Sequence, residues 1–436
     1  MNNLAKALTG LALGVSCLPA FANEAAPSSG PTFYKDILSI FQENCQQCHR
    51  PGGYNIAGMV APFSLMTYEE ARPWAKSIVQ KITAREMPPW FTTKRFAGVF
   101  GNERSLEDPE IAMITEWANR GAARGNPADG PPARVFEGHD GWLQGVPDVI
   151  VTMKEPYFVE DGVEDIYQNF ESEPMTPEQL PRDRWLRAIE WRGDSTAVHH
   201  IVGSATVTTP EGRVARYSLG SIAPGEEAAV FPAGYGRLMK AGSTINFNMH
   251  YHKEIGEGTG VWDQSMVGFS FWDEETDPAI QHAVQREGIS NRYFEIPPGN
   301  PSWAVTAAKT FDADTTILSL HPHMHVRGKD CKYEAVYPDG RREMLLDVPK
   351  WDFNWQLDYT YNEPKKVPAG TRIEYSANYD NSAENVSNPD ATIPMVWGGP
   401  TTMEMHIGYI SYTNSTPMES AALQLVDSNT VEDSAD

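Results

Sequence analysis

Cysteine is scarce in this chain: four in 436 residues, at positions 17, 45, 48 and 331. Cys17 falls in an N-terminal leader, and Cys45 and Cys48 share one short motif. Cys331 is therefore left without a partner, and no intrachain disulfide is expected. A chain of this length can bury cores large enough to manage without one. Basic residues are also few, 35 against 58 acidic, for a formal net charge of −23. That balance argues against nucleic acid or an anionic lipid surface as partner. It suits the solubility of an exported protein, or docking of a basic redox protein or a cationic substrate. Long apolar runs are missing after the leader, so no membrane span is expected. Histidine is rare in the first 190 residues, since nine of the 11 lie beyond them.

The chain opens "MNNLAKALTGLALGVSCLPAFANEAAP". One positive residue (Lys6), an apolar run, and Ala20 and Ala22 flanking Phe21 make a secretory signal over residues 1–22, cut after Ala22. Lipidation at Cys17 competes with that reading, but Gly14 stands where such a signal wants leucine. A bacterial periplasmic or secreted protein is expected. The stretch "ENCQQCHRPGG" (43–53) then carries C-x-x-C-H, the attachment sequence of a c-type haem. Cys45 and Cys48 would bond the porphyrin vinyls and His49 would ligate the iron, giving one covalent haem c. For the sixth ligand, "REMPPWF" offers Met87. The proline after it disfavours helix at Met87, and a loop-held thioether is the usual distal ligand of an electron-carrying cytochrome. Met59, Met66 and Met113 are rivals.

Residues 30–126 read as helical. "TFYKDILSIFQENC", "TYEEARPWAKSIVQKITARE" and "DPEIAMITEWANRGAA" place apolar residues three and four apart, with Thr67 and Asp108 as N-caps. Together with the haem motif they predict a small all-α cytochrome c domain. Pro and Gly mark 127–145 as a linker. From about 146 the texture changes to short alternating strands with frequent turn residues, which predicts all-β antiparallel sandwiches in tandem, over 146–285 and 286–420. The tail 421–436 is acidic and small-polar, and disorder is expected there.

Eight of the nine later histidines fall in four clusters: "VHHIVG" (199, 200), "MHYHKE" (250, 252), "HPHMHVRGK" (321, 323, 325) and "MEMHIGY" (406). His282 is isolated and reads as surface. Imidazoles at i and i+2 project from one face of a strand, where a single metal can take both. Copper is favoured over zinc, because no carboxylate stands immediately next to a histidine in the first three clusters and a thioether accompanies the fourth. Adjacent His199 and His200 would point to opposite faces of an ideal strand. Both reach one metal only if the strand is bulged or twisted, or if different ring nitrogens bind. His321/His323 and His323/His325 both remain possible pairs by spacing.

The order H-H, M-H-Y, H-x-H-x-x-G-K, E-M resembles the copper type II ascorbate-dependent monooxygenases, the peptidylglycine- and dopamine-hydroxylating enzymes. The resemblance spans roughly residues 146–415. It implies two antiparallel jelly-roll domains, one per copper, facing across a solvent cleft. It implies an electron-transfer copper on His199, His200 and His250, and an oxygen-binding copper on His323, His325 and Met405. It favours the later pair through "VRGK", and places Tyr409 in the substrate pocket. Where the peptide-hydroxylating members carry an arginine and an asparagine for a terminal carboxylate, this chain has His321 and Ile407, so a peptide carboxylate is not the expected substrate. The implied activity is a copper-dependent monooxygenase, an oxidoreductase that hydroxylates a C–H bond of a small organic substrate with O2. The haem domain would deliver electrons from a redox donor protein or a small reductant. Two alternatives differ in class: a blue-copper-type redox protein using Cys331, and a non-catalytic copper-binding protein fused to a cytochrome.

Overall fold

A computed structural model describes residues 30–51, 61–136, 142–209, 211–223, 226–273, 279–414 and 424–425. The signal at 1–22 and the rival ligand Met59 lie outside these residues. Period-two patterning builds most of the chain. In the strand Thr244–His252, Ile245, Phe247, Met249 and Tyr251 are buried while Thr244, Asn246 and Asn248 alternate with them, as a half-buried strand requires. Its neighbours are Val198–Thr208 on one side and Asp165–Glu171 on the other, both antiparallel. Val214–Ile222 and Gln424–Leu425 complete that sheet. A second sheet contains Val149–Thr152, Met266–Phe271, Arg184–Arg192 and Tyr235–Met239. The two share one core, which includes Leu186, Trp191, Phe247 and Phe269. Gly203 allows the close approach between them, because a Cβ there would overlap the Trp191 ring at 1.6 Å.

Later residues repeat the scheme. One sheet orders Gln285–Ser290, Ile407–Asn414, Thr315–His323 and Tyr359–Val367; another orders Trp303–Thr310, Arg372–Tyr379, Gly328–Val336 and Arg342–Val348. Their shared core includes Leu320, Tyr333, Tyr375 and Ile410. A register shift between Ile317 and Ser319 leaves Leu318 unpaired, and its side chain joins the first core instead. That bulge links the two halves next to the H-x-H segment.

The expected plan, a small all-α cytochrome c domain followed by tandem jelly-roll sandwiches, is corrected by this structure. The chain is mostly β, 39% strand and 13% helix, with four principal sheets in a propeller-like arrangement. The helices are short: Leu38–Asn44, Tyr68–Ala71, Ala75–Thr83 and Asp108–Asn119 are the α-helical pieces. They pack on Phe33, Phe41 and Trp117, but the stretch between the last two does not stay with them. Trp90, Phe96 and Phe100 are buried in the later β core. Backbone hydrogen bonds tie Thr93 to Asp347 and Gly101 to Thr360, at 3.2 and 2.8 Å. The physical reason is composition. "WFTTKRFAGVF" has no helical period, and each large ring buried against the β core stabilises the fold by about 1.5–3 kcal/mol. Thr67 caps its helix with a capping box, as expected; at the last helix Glu107, not Asp108, is the N-cap. No described helix is long and apolar enough to cross a membrane.

Candidate metal and haem sites

The adjacent pair His199–His200 is turned to one side by a bulge. Val198 pairs with Tyr251 and His200 with His250, so His199 is the extra residue. An added residue bends the strand locally and re-aims side chains. As a result His199 Nδ1 and His250 Nδ1 each lie 3.2 Å from His200 Nδ1. One ligand atom from each of the three residues lies within 4.8 Å of the others. On its far side His250 Nε2 meets Asp165 Oδ1 at 3.0 Å, which fixes the proton on Nε2 and leaves Nδ1 bare. The Tyr167 ring stacks flat on His250 at 4.2 Å. Burial, then the neighbouring imidazoles, lower His199 to about 3 and hold His200 well below the usual range. Burial disfavours ionisation of Asp165, but hydrogen bonds from His250 and His252 outweigh it and keep the carboxylate charged. Neutral imidazoles are the form that binds metal.

His323 and His325 use the opposite nitrogens. His323 Nδ1 lies 2.6 Å from Gln356 Oε1, and His325 Nδ1 lies 3.3 Å from the Met403 carbonyl. Both Nε2 atoms are thereby left for a ligand, and that of His325 is buried with no hydrogen-bond partner. The two rings are 5.3 Å apart. Burial lowers His323 to about 4. Met405 is placed by its neighbour. The buried Glu404 carboxylate accepts the backbone N–H of His325, of Arg327 (3.1 Å) and of Met405 (2.9 Å). Arg327, inside "VRGK", braces the same segment through the Thr402 carbonyl and Asn381, at 2.9 and 3.1 Å. One aromatic ring touches both histidine groups. Phe353 stacks on His199 at 4.9 Å and stands edge-on to His325 at 6.0 Å. Thr401 Oγ1 also donates to Asp165 at 2.7 Å, from the Met405 segment to the His250 partner.

His321 joins a different group. Its Nδ1 is 3.1 Å from Glu226, so the pair set apart in geometry is His323/His325. Tyr409 faces His321 at 5.7 Å and His323 at 6.5 Å, and Arg286 lies over its ring at 5.2 Å. A cavity of about 350 Å³ beside it is lined by Tyr409, Tyr412, Arg286, Arg237 and Ser218 among others. Cys331 is buried in the later core, in one cluster with Tyr333 and Tyr375, and burial drives its thiol far above the usual range. It is a core residue, which removes support from the blue-copper alternative. His252 is half-exposed beside Asp165 at 3.6 Å, and His406 is held by the Tyr379 hydroxyl at 3.0 Å.

No protein-family model matches this chain. No curated protein sequence matches it either. Among solved structures, the infectious bursal disease virus VP2 subviral particle aligns at 10% identity, over 63% of this chain and 73% of that one, with a TM-score of 0.19. PNGF-II aligns at 8% identity, over 61% and 65%, with a TM-score of 0.26. Scores this low carry no argument about fold or activity.

The C-x-x-C-H segment follows the helix Leu38–Asn44. The His49 and Cys48 amides return to the Cys45 carbonyl at 2.9 and 3.2 Å, a tight turn that sets both thiols and the imidazole close together. His49 Nδ1 is engaged by the Phe63 carbonyl at 3.1 Å, which leaves Nε2 for iron. Cys45 and Cys48 are not joined in a disulfide; burial, then Cys48, pushes Cys45 up to about 12. These residues fit a haem c. Met87 stands on the non-helical stretch after Ala75–Thr83, before a cis bond to Pro88. The motif also lies against the β half, since Arg104 and Glu227, which pair at 3.2 Å, both act on Cys48.

Several residues around the candidate sites escaped the sequence reading. Asp165, Gln356, Phe353, Glu404, Glu226 and Asp358 all touch the histidines or each other. Glu404 had a signal in its position beside Met405; Asp165 could be found only once its strand was paired with His250 and His252.

Proposed function

We propose that this chain is an exported haem c and dicopper monooxygenase that hydroxylates a small organic substrate. The observation that carries the reading is the pair of imidazole groups with opposite bare nitrogens: three convergent Nδ1 atoms on one side, and the orphaned Nε2 of His325 on the other. Copper bound there would supply one-electron redox chemistry at each group and a place for O2 to be reduced. The protein's own part is positional. Asp165 and Gln356 hold tautomers, burial keeps His199, His200, His323 and His325 neutral, and Glu404 joins the Met405 segment to His325. The Tyr409 cavity would take the substrate, with Phe353 and its neighbours limiting water near the histidines. The haem would sit on His49, Cys45 and Cys48 with Met87 as sixth ligand, close to the β half.

The test is copper stoichiometry. The parent should bind two copper ions per chain, and His250→Ala should lose one while keeping the other. Loss of both in His250→Ala, or no tight copper in the parent, would overturn the reading. For the haem, Met87→Ala should abolish the weak sulfur–iron band at the red end of the ferric spectrum. Persistence of that band would pass the role to Met59.

A further inference from the structure

Glu226, His321 and Asp358 form a second group of metal-ligand type, and none of the three belongs to the sites above. They come from three separate segments: Glu226 from the loop after Val214–Ile222, His321 from the strand Thr315–His323, and Asp358 from the residue before Tyr359–Val367. One ligand atom from each lies within 4.8 Å of the others. His321 Nδ1 is 3.1 Å from Glu226 Oε1 and 3.9 Å from Asp358 Oδ1, yet it is buried and makes no hydrogen bond. The ring also donates a hydrogen bond to the Leu357 backbone carbonyl. With Nδ1 unpartnered, that bond belongs to Nε2, which must carry the proton because a carbonyl only accepts. A bare lone pair on Nδ1 therefore faces carboxylate oxygens at contact distance. That arrangement is repulsive unless a proton or a metal cation stands between them.

Charge points the same way. Arg286 reaches Glu226 at 3.2 Å and Asp358 at 3.4 Å. It offsets one of two negative charges in a cluster where Glu226 and His321 are almost wholly buried. A buried charge without compensation is costly; burial, then the Asp358 charge, pushes the Glu226 carboxyl up, so the cluster has to take up either a proton or a metal ion. A cavity of about 270 Å³, lined by Asp358, Arg286, Ser221 and Glu227 among others, opens onto the group. It offers an entry path and room for water ligands.

We propose that Glu226, His321 and Asp358 hold a third metal ion, a divalent cation bound by one imidazole nitrogen and two carboxylate oxygens. Two hard oxygens, one imidazole and no sulfur suit Mn2+ or Zn2+ and not Cu(I). The ion ties Glu226, from the earlier part of the β region, to His321 and Asp358 of the later part. It shares no ligand with the copper groups, so it stands or falls separately from them.

The experiment uses Mn2+ as probe on the purified full chain with haem and copper in place. After desalting, metal analysis and electron paramagnetic resonance should find one Mn2+ per chain. Asp358→Asn and Glu226→Gln should each weaken that binding by at least about tenfold, while His250→Ala leaves it unchanged. Added Mn2+ should raise the thermal midpoint of the parent and not of Asp358→Asn. Should Glu226→Gln fail to fold, Asp358→Asn carries the test. A parent that retains no Mn2+ overturns the proposal, since a proton then holds the cluster together. Binding unaffected by Asp358→Asn, or lost in His250→Ala, overturns it as well. Failure of copper binding with Mn2+ retained would refute the copper reading and leave this one standing.

Discussion

Replacing Met405 with isoleucine should lower oxygen consumption by the reduced, copper-loaded protein at least about 100-fold, roughly 3 kcal/mol in the barrier. The substitution keeps apolar bulk and removes only the thioether. The backbone at 405 is held independently of the side chain, its N–H by Glu404 and its carbonyl by the Tyr379 hydroxyl, both at 2.9 Å. Folding and the haem spectrum should therefore be unchanged. Soft sulfur favours Cu(I), and copper X-ray absorption should show sulfur scattering in the parent and none in Met405→Ile. A storage site would only bind copper more weakly without the thioether. A variant that consumes oxygen at the parent rate would remove the best reason for calling this protein an enzyme.

The second large effect concerns Glu404. Its carboxylate is fully buried and accepts three backbone N–H groups, from His325, Arg327 and Met405. Burial pushes its pKa up to about 7, against the opposing pull of those hydrogen bonds. Glu404→Ala leaves three donors buried without an acceptor, at about 1–3 kcal/mol for each group left unsatisfied. Partial relaxation and water entry reduce the sum, and a loss of about 3–5 kcal/mol is expected. Glu404→Gln keeps one acceptor oxygen and should cost clearly less. Denaturant titration followed through the tryptophans reads the difference. Copper analysis of the folded fraction should show the His323/His325 ion lost before the His199/His200/His250 ion. A cost for Glu404→Ala below about 1 kcal/mol would mean that the carboxylate does not organise this segment.

What the sequence made legible was local. Strands at Thr244–His252 and Thr315–His323 follow from alternation, and the N-cap at Thr67 follows from the helical spacing after it. The adjacent histidines required a bulge, a twist or the use of different ring nitrogens, and the register shift at Val198/His200 supplies the first of these. What was not legible depends on long-range register. Asp165 meets His250 only because Asp165–Glu171 pairs with Thr244–His252, 85 positions apart at that contact. The segment "WDFNWQLD" contains no histidine or cysteine and shows no alternation, yet it brings Phe353, Gln356 and Asp358 to three different histidines. The separate cytochrome domain failed as an expectation for a related reason. Helical spacing identified the helices correctly, but it is silent about where the aromatic stretch between them is buried.

The measurement that bears most directly on the central claim is incorporation of isotopically heavy O2. Reduced, copper-loaded protein is mixed with a small-molecule extract and exposed to the labelled gas, and the organic products are read by mass spectrometry. The account predicts one heavy oxygen atom in a new organic product, absent when copper is removed or when Met405 is replaced. Copper uptake and haem reduction with no labelled organic product would contradict it.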